Sequence, residues 1–216
     1  MKPAMQSRNH SAGQPPGRRE RKRSETRQRI FRAAMRLFAE RGFFDTTVED
    51  ITEAADVGKG TFFNYFPSKE HVLGVLHDVQ LGKVEEVRAA ARAGKLPIHG
   101  LLRQFMLRVT EEPGRSQLLA RGLLATVFSS EPVRTMLVDT MAGGRRILAD
   151  VLKLGQERGE VRRDLSPEEM ARSFQQFVLG TVLIWSLHPP TNLNKRLGTS
   201  FEIFWAGISA NREAQS

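Results

Sequence analysis

"TTVEDITEAADVGKGTFFNYFPSKE", Thr46 to Glu70, is the stretch whose reading decides the fold. It holds two short helical patterns with a glycine-marked break between them. It also sets Phe62, Phe63, Tyr65 and Phe66 almost side by side, next to Lys59 and Lys69. Crowding of this kind marks either the edge of a core or a surface that lies against something charged. In the first pattern, Thr46 with Glu49 or Thr47 with Asp50 supplies the Ser/Thr-x-x-acid arrangement that caps a helix start. Val48, Ile51 and Ala55 then face inward, and Asp56, Val57 and Gly58 break the helix. The second helix is about two turns long. Phe62 and Phe66 lie one turn apart on its buried face, and Pro67 stops it. At about 100° per residue, Gly60, Thr61 and Asn64 lie opposite that face, with Lys59, Phe63 and Tyr65 on the flanks.

Upstream, Ile30, Ala33, Ala34, Leu37 and Phe38 follow the i, i+3, i+4, i+7, i+8 stripe of an amphipathic helix. Ser24 is the expected N-cap and Gly42 closes the helix after Arg41. Two short helices joined by a tight turn and packed on such a helix describe a helix-turn-helix over about 47–66. In that motif the second helix enters the major groove and its N-terminal residues reach base edges. Lacking a side chain, Gly60 permits close approach to a duplex.

Residues 24–75 resemble the N-terminal domain of the tetracycline-repressor (TetR) family of bacterial transcriptional regulators. The features that carry the resemblance are Ala33, Leu37, Phe38, Gly42, Thr46-Thr47, Ile51, Ala54-Ala55, Val57, Lys59-Gly60-Thr61, Tyr65-Phe66 and Ser68-Lys69-Glu70. The resemblance implies that Thr47, Tyr65 and Lys69 contact phosphates, while Lys59, Gly60, Thr61, Phe63 and Asn64 face the groove. Lys59 is the best candidate for guanine O6/N7, and Asn64 suits adenine or phosphate. Two positions depart from the family pattern. Gly58 stands where Ser or Thr commonly caps the recognition helix, which keeps an acceptable cap but removes a phosphate contact. Phe63 stands where Tyr is common, leaving apolar contact such as with a thymine methyl. Both departures bear on the target sequence, not on DNA binding as such.

The 216 residues carry a net charge of +9, and that charge is uneven. Residues 1–24 hold seven basic residues against Glu20 alone, so +6 falls there and only +3 on the other 192. A basic tail on a near-neutral body suggests a polyanion, either nucleic acid or anionic lipid; the alternative is a solvated or idle extension. Pro3, Gly13, Pro15, Pro16 and Gly17 and the scarcity of large apolar residues predict a disordered arm over 1–23. With no cysteine, disulfides and cysteine-ligated metals are excluded. The longest apolar run, "FVLGTVLIWSL" from Phe177, falls well short of the ~20 residues that span a bilayer. The N-terminus lacks the apolar stretch of a signal peptide. The expectation is a cytoplasmic protein that meets no membrane.

After Ser68 a helix continues to about Gly94, and further helices are expected at roughly 97–111, 115–129, 132–158, 167–187 and 193–210, punctuated by prolines. No stretch alternates with period 2, so the predicted fold is all-α. A helix-turn-helix domain over 24–70 would be followed by a larger helical domain over 71–211. Gly143 and Gly144 inside one helix mark either a kink or a close helix approach. Phe174, Phe177, Thr181 and Trp185 form one stripe on the last two helices; Leu197, Phe201, Phe204, Trp205 and Ile208 form the other. These aromatics suit an interface core or a plain core.

The resemblance implies that the last two helices pair with their symmetry mates, with Phe174, Thr181, Phe201, Phe204, Trp205 and Ile208 at the homodimer interface. Helices near 97–128 would then enclose a small-molecule cavity, with Phe105, Met106, Leu119, Leu123, Val127 and Phe128 as candidate linings and Met136, Phe177 and Trp185 behind them. Nothing in the chain points to catalysis, a metal or a cofactor. His10, His71, His77, His99 and His188 show no ligand spacing, and "SPEEMAR" from Ser166 is a helix start with acids favourably placed on the dipole. The implied function is a dimeric, ligand-responsive regulator, most simply a repressor released from a palindromic double-stranded DNA operator by a small apolar or amphipathic effector. The alternatives are an activator of the same family, or a helical binding protein whose basic face meets membrane or protein.

Overall fold

The computed structural model describes residues 17–94, 96–188 and 191–210. Among them the chain forms nine α-helices: α1 (Arg18–Arg41), α2 (Val48–Ala54), α3 (Lys59–Tyr65), α4 (Leu73–Arg92), α5 (Ile98–Thr110), α6 (Gln117–Ser129), α7 (Glu131–Glu157), α8 (Pro167–Leu187) and α9 (Leu193–Ile208). Short 3₁₀ turns precede α4 and α6. The β pairing among the described residues is one isolated antiparallel bridge, Val161 to Ser209, which ties the α7–α8 connection to the end of α9.

Two helix starts differ from expectation. The first helix begins at Arg18, and Ser24 lies inside it. Thus the 18–23 part of the arm expected to be disordered is helical and exposed, while residues 1–16 lie outside the described residues. Arg, Lys and Glu are good helix formers, and a helix already nucleated by its packed half extends at little cost through residues with no apolar side chain. The fourth helix begins at Leu73, after the 3₁₀ turn Glu70–Val72, and not at Ser68. The Ser68 hydroxyl bonds the Glu70 carboxylate and meets His71 Nδ1 at 3.0 Å, so it caps no backbone N–H.

Two apolar cores hold the chain. Around α1 gather Ile30, Ala34, Leu37 and Phe38 with Phe43, Ile51, Phe62 and Phe66. This core also takes Leu119 from α6 and Val133 from α7. The second core holds Leu102, Met106, Leu148, Leu152, Phe174, Leu197 and Phe201. Helix α4 belongs to both, contributing Leu73 and Val75 to the first and Val84, Val87 and Ala91 to the second.

Of the two options for Gly143 and Gly144, the kink is absent, and a Cβ at Gly144 would find ordinary contacts. Helix α7 runs unbroken through them. A Cβ on Gly144 would lie 3.5 Å from Gln175 Nε2 on α8 and 3.8 Å from Val84 Cγ2 on α4. A tighter approach lies at Gly122, between α6 and the α1–α2 loop. A Cβ there would meet the Phe43 backbone nitrogen at 3.3 Å and its Cβ at 3.1 Å. Helix α6 also closes the end of α8: Gln117 Nε2 donates to the Trp185 and His188 carbonyls, at 2.7 and 3.0 Å, and Arg121 Nη1 to that of Ser186, at 2.8 Å. These are last-turn carbonyls, which have no partner within their own helix.

Candidate functional site

The helix-turn-helix is fixed from both ends. Thr47, not Thr46, makes the capping box. Its hydroxyl oxygen accepts from the Asp50 N–H at 3.1 Å and its own N–H donates to Asp50 Oδ2 at 2.8 Å. The Thr47 hydroxyl proton goes to the same carboxylate at 2.6 Å, and these bonds hold the Asp50 carboxyl below its ordinary range. Thr46 is buried and donates to the Gly42 carbonyl at 2.7 Å. After α2, Asp56 takes a left-handed conformation, φ 49°. Its N–H bonds the Glu53 carbonyl at 3.1 Å, and the Val57 N–H reaches Thr52 at 3.0 Å. That is a Schellman closure with Asp in the place usually held by glycine. Arg29 of α1 donates to the Asp56 carbonyl at 3.2 Å, which fixes the turn to the helix beneath.

Helix α3 then sits on Phe62 and Phe66, both essentially inaccessible, and turns its other faces outward. Lys59, Gly60 and Asn64 are exposed, Thr61 and Tyr65 half-buried, and Phe63 is 47% exposed. Gly58 caps the helix with no side-chain hydrogen bond. Lys59 Nζ pairs with Glu49 of α2, and the ammonium holds that carboxyl below its ordinary range. Beside the far end of α3, Asn64 and Tyr65 share a shallow depression with Glu20, Arg23, Ser24 and Arg27 of α1. The helical start of α1 therefore extends the polar face of α3 with basic side chains.

Lys69 departs from its expected role. Its ammonium points inward, donating to the carbonyls of Phe43 at 2.8 Å, Thr46 at 2.9 Å and Phe44 at 3.3 Å, and it lies 4.6 Å from the centre of the Phe43 ring. An ammonium has three N–H donors, so all three are matched by the α1–α2 loop. The expectation of a phosphate contact is corrected accordingly: the resemblance implied that Lys69 meets a phosphate, whereas here the loop carbonyls hold its ammonium.

A cavity of about 280 Å³ lies under α4, walled by α4 to α8. It reaches from Leu73, in the first turn of α4, to Val182 on α8, and its wall is almost wholly aliphatic and aromatic. Among the described residues no group of three or more His, Asp or Glu is placed to hold a metal.

The description "Bacterial regulatory proteins, tetR family" fits a family model matching residues 30–76. A second model, for the C-terminal domain of TetR/AcrR family transcriptional repressors, matches residues 78–207, more than half of the chain. The chain belongs to the TetR family of bacterial transcriptional regulators. Among TetR-family relatives, the HTH-type transcriptional repressor DhaR of Mycobacterium sp. (strain GP1) is 30% identical over 151 residues, 69% of this chain and 76% of its own length. The TetR family transcriptional repressor FadR of Thermus thermophilus, solved in complex with lauroyl-CoA, is 31% identical. The match covers 88% of this chain and 98% of that one, with a TM-score of 0.60. The fatty acid degradation regulator FadR from Bacillus halodurans is 19% identical with a TM-score of 0.70, covering 84% and 95%, and shares the fold. No helix among the described residues is long and apolar enough to cross a membrane.

Of the residues expected at the DNA face, Lys59, Gly60, Thr61, Phe63, Asn64 and Tyr65 lie on α3, Thr47 caps α2, and Lys69 is turned inward. The cavity is sorted less well. Phe105, Leu123, Val127 and Met136 line it. Phe128 is 78% exposed and Met106 and Leu119 are sealed in the two cores, so these three are corrected. Phe177 meets Phe174 edge-to-face and Phe204 at a tilt instead, and Trp185 donates from Nε1 to the Thr191 carbonyl at 2.7 Å, bracing the α8–α9 connection. Phe174, expected at the dimer face, lines the cavity, and Phe201 and Ile208 are core within one chain. Phe174 and Phe177 of α8 meet Phe204 of α9, and the large apolar residues these two helices leave exposed are Leu179, Ile184, Leu187 and Ile203. Sequence reading also missed the α4 wall of the cavity and, apart from Met136, that of α7, including His77, Gln80 and Thr140. A polar residue interrupting an otherwise apolar helix face was the signal available.

Proposed function

We propose that the chain is a dimeric repressor that releases a palindromic operator when a small apolar or amphipathic molecule fills the cavity under α4. The observation that carries this is one of continuity. The cavity wall begins at Leu73, and Leu73 is separated from the recognition helix α3 only by Phe66, Pro67, Ser68, Lys69 and the 3₁₀ turn Glu70–Val72. An occupant that favours a different placement of α4 therefore acts on the element that anchors α3. A second link runs through α6, which lines the cavity with Leu123 and Val127 and grips the first domain by the Gly122–Phe43 contact and by the Ser116 hydroxyl, donating to the Ala39 carbonyl at 2.9 Å.

Two recognition helices on a symmetric dimer read two half-sites at fixed spacing, so a shift of either link lowers affinity. Linkage requires operator DNA to weaken the effector by the same factor. The dimer surface would be the outer face of α8 and α9. There Thr181 and Ser200 meet at 3.4 Å between the helices and Ile203 stands 70% exposed. The lauroyl-CoA bound by the Thermus thermophilus relative supports an occupant with a long apolar part. Selection of bound duplexes from a random pool tests the reading: a palindrome is expected, and enrichment of an asymmetric or undefined sequence overturns it.

A further inference from the structure

The cavity wall contains neither Lys, Arg, Asp nor Glu among its described residues. Its polar side chains are His77, Gln80, Thr110, Thr140 and Gln175, and each already uses a donor atom within the protein. Thr110 donates to the Met106 carbonyl at 2.8 Å and Thr140 to that of Met136 at 2.7 Å. His77 Nδ1 contacts Thr140 Oγ1, whose single proton is spent on Met136, so Nδ1 is the donor there. Gln80 Nε2 donates to the Val109 carbonyl and Gln175 Nε2 to that of Met141, both at 2.8 Å. The two amide oxygens, Gln80 Oε1 and Gln175 Oε1, are buried and have no partner. Their orientation follows from their neighbours, because turning either amide would set its oxygen against a backbone carbonyl oxygen.

Buried acceptors without donors are rare and carry a standing cost that a donor relieves. We propose that the ligand of this cavity is an uncharged, largely apolar molecule carrying a hydroxyl or N–H donor, recognised by Gln80 Oε1 or Gln175 Oε1. This rests on the reading of the cavity as the effector site. A carboxylate or phosphate is disfavoured, since it would lie in an apolar wall against acceptors with no Lys or Arg to compensate it. The volume, about 280 Å³ and just under the ~300–1,000 Å³ of small-molecule sites, suits a compact ligand.

Three matched probes test the proposal on the full chain by displacement of Nile red, an uncharged dye. They are 4-octylphenol, its methyl ether 4-octylanisole, which lacks the donor, and 4-octylbenzoate, which is anionic. In the native protein the phenol should bind at least as tightly as the ether, and the benzoate weakest. In Gln80→Leu/Gln175→Leu the ether should bind nearly as before, while the phenol-to-ether affinity ratio falls about tenfold, the size of one net hydrogen bond. The single variant that removes the accepting oxygen should reproduce that fall, and the single variants carry the test if the double variant loses the ether. An unchanged ratio, or a benzoate tighter than the phenol, overturns the proposal. If neither dye nor probe enters, the cavity reading fails and takes the proposal with it. If the probes follow the expected order but leave operator binding unaltered, recognition stands and the effector role alone is lost.

Discussion

Replacing Lys69 with Met keeps the aliphatic stem over Phe43 and removes the ammonium. The Phe43 and Thr46 carbonyls it serves are in partly buried surroundings, and that of Phe44 is exposed. A hydrogen bond to a charged group contributes ~1.5–3 kcal/mol when intact, but water recovers part of this at a half-open site. Taking ~1 kcal/mol for each of the two partly buried carbonyls, little for the third, and ~0.5 kcal/mol for the ring contact gives a loss of roughly 2–3 kcal/mol. For a chain of this size each kcal/mol moves the melting temperature by ~2–4 °C, so Lys69→Met should melt about 4–12 °C lower. Circular dichroism at fixed protein concentration measures this, and the concentration must be held because dimer association contributes to the midpoint. The salt dependence of DNA binding, compared below the melting range, should keep its slope. A phosphate contact predicts the reverse: unaltered melting, and a slope shallower by ~0.9 per subunit. That pattern would refute the inward role given to Lys69.

Lys59→Ala should lower the ratio of cognate to scrambled affinity by ~1–3 kcal/mol, read from binding curves on both duplexes, whereas a phosphate contact would weaken both alike. Ile203→Glu should give folded monomers in sedimentation, while Phe201→Glu, two residues away and fully buried, should fail to fold. Replacing Arg18, Arg19, Arg21, Lys22 and Arg23 together by Gln should leave melting nearly unchanged and reduce the log–log salt slope by roughly 2–4, because Gln keeps helix propensity while the charges go. Asp50 is held below its ordinary value of 3.8 by the Thr47 hydroxyl and backbone N–H. Its capping bond is therefore complete above that value and is lost as pH falls through the depressed one. A carbon-13 titration should show the low midpoint in the native chain and its return upward in Thr47→Ala.

The helix-turn-helix was legible because its signals are local: a capping pattern, a break at Asp56–Gly58, and Phe62 and Phe66 one turn apart. The later helices were legible from proline punctuation within a residue or two. Roles that depend on what lies across from a side chain were not. Lys69 follows a proline at the edge of the motif, and only the folded loop shows three carbonyls converging on it. Phe174, Phe201 and Ile208 lie on helical stripes that read equally as core or interface, and the choice is made by the facing helix. Phe128 failed for a related reason. It stands one residue after Val127, about 100° round the helix, and that step carries it from the cavity to solvent.

The core under the reading head borrows Leu119 and Val133 from helices far along the chain, and Gly122 leaves room for Phe43 to seat against α6. This limits how such a protein can be recombined. A hybrid that exchanges only the segment through α3 onto another family member's effector domain inherits a foreign floor beneath Phe38, Phe43 and Phe66. A larger side chain in place of Gly122 would lift the reading head from its seat before any ligand arrived, leaving the hybrid permanently induced. Crossover points therefore work as matched sets, in which the loop at Phe43 travels with the α6 positions that receive it.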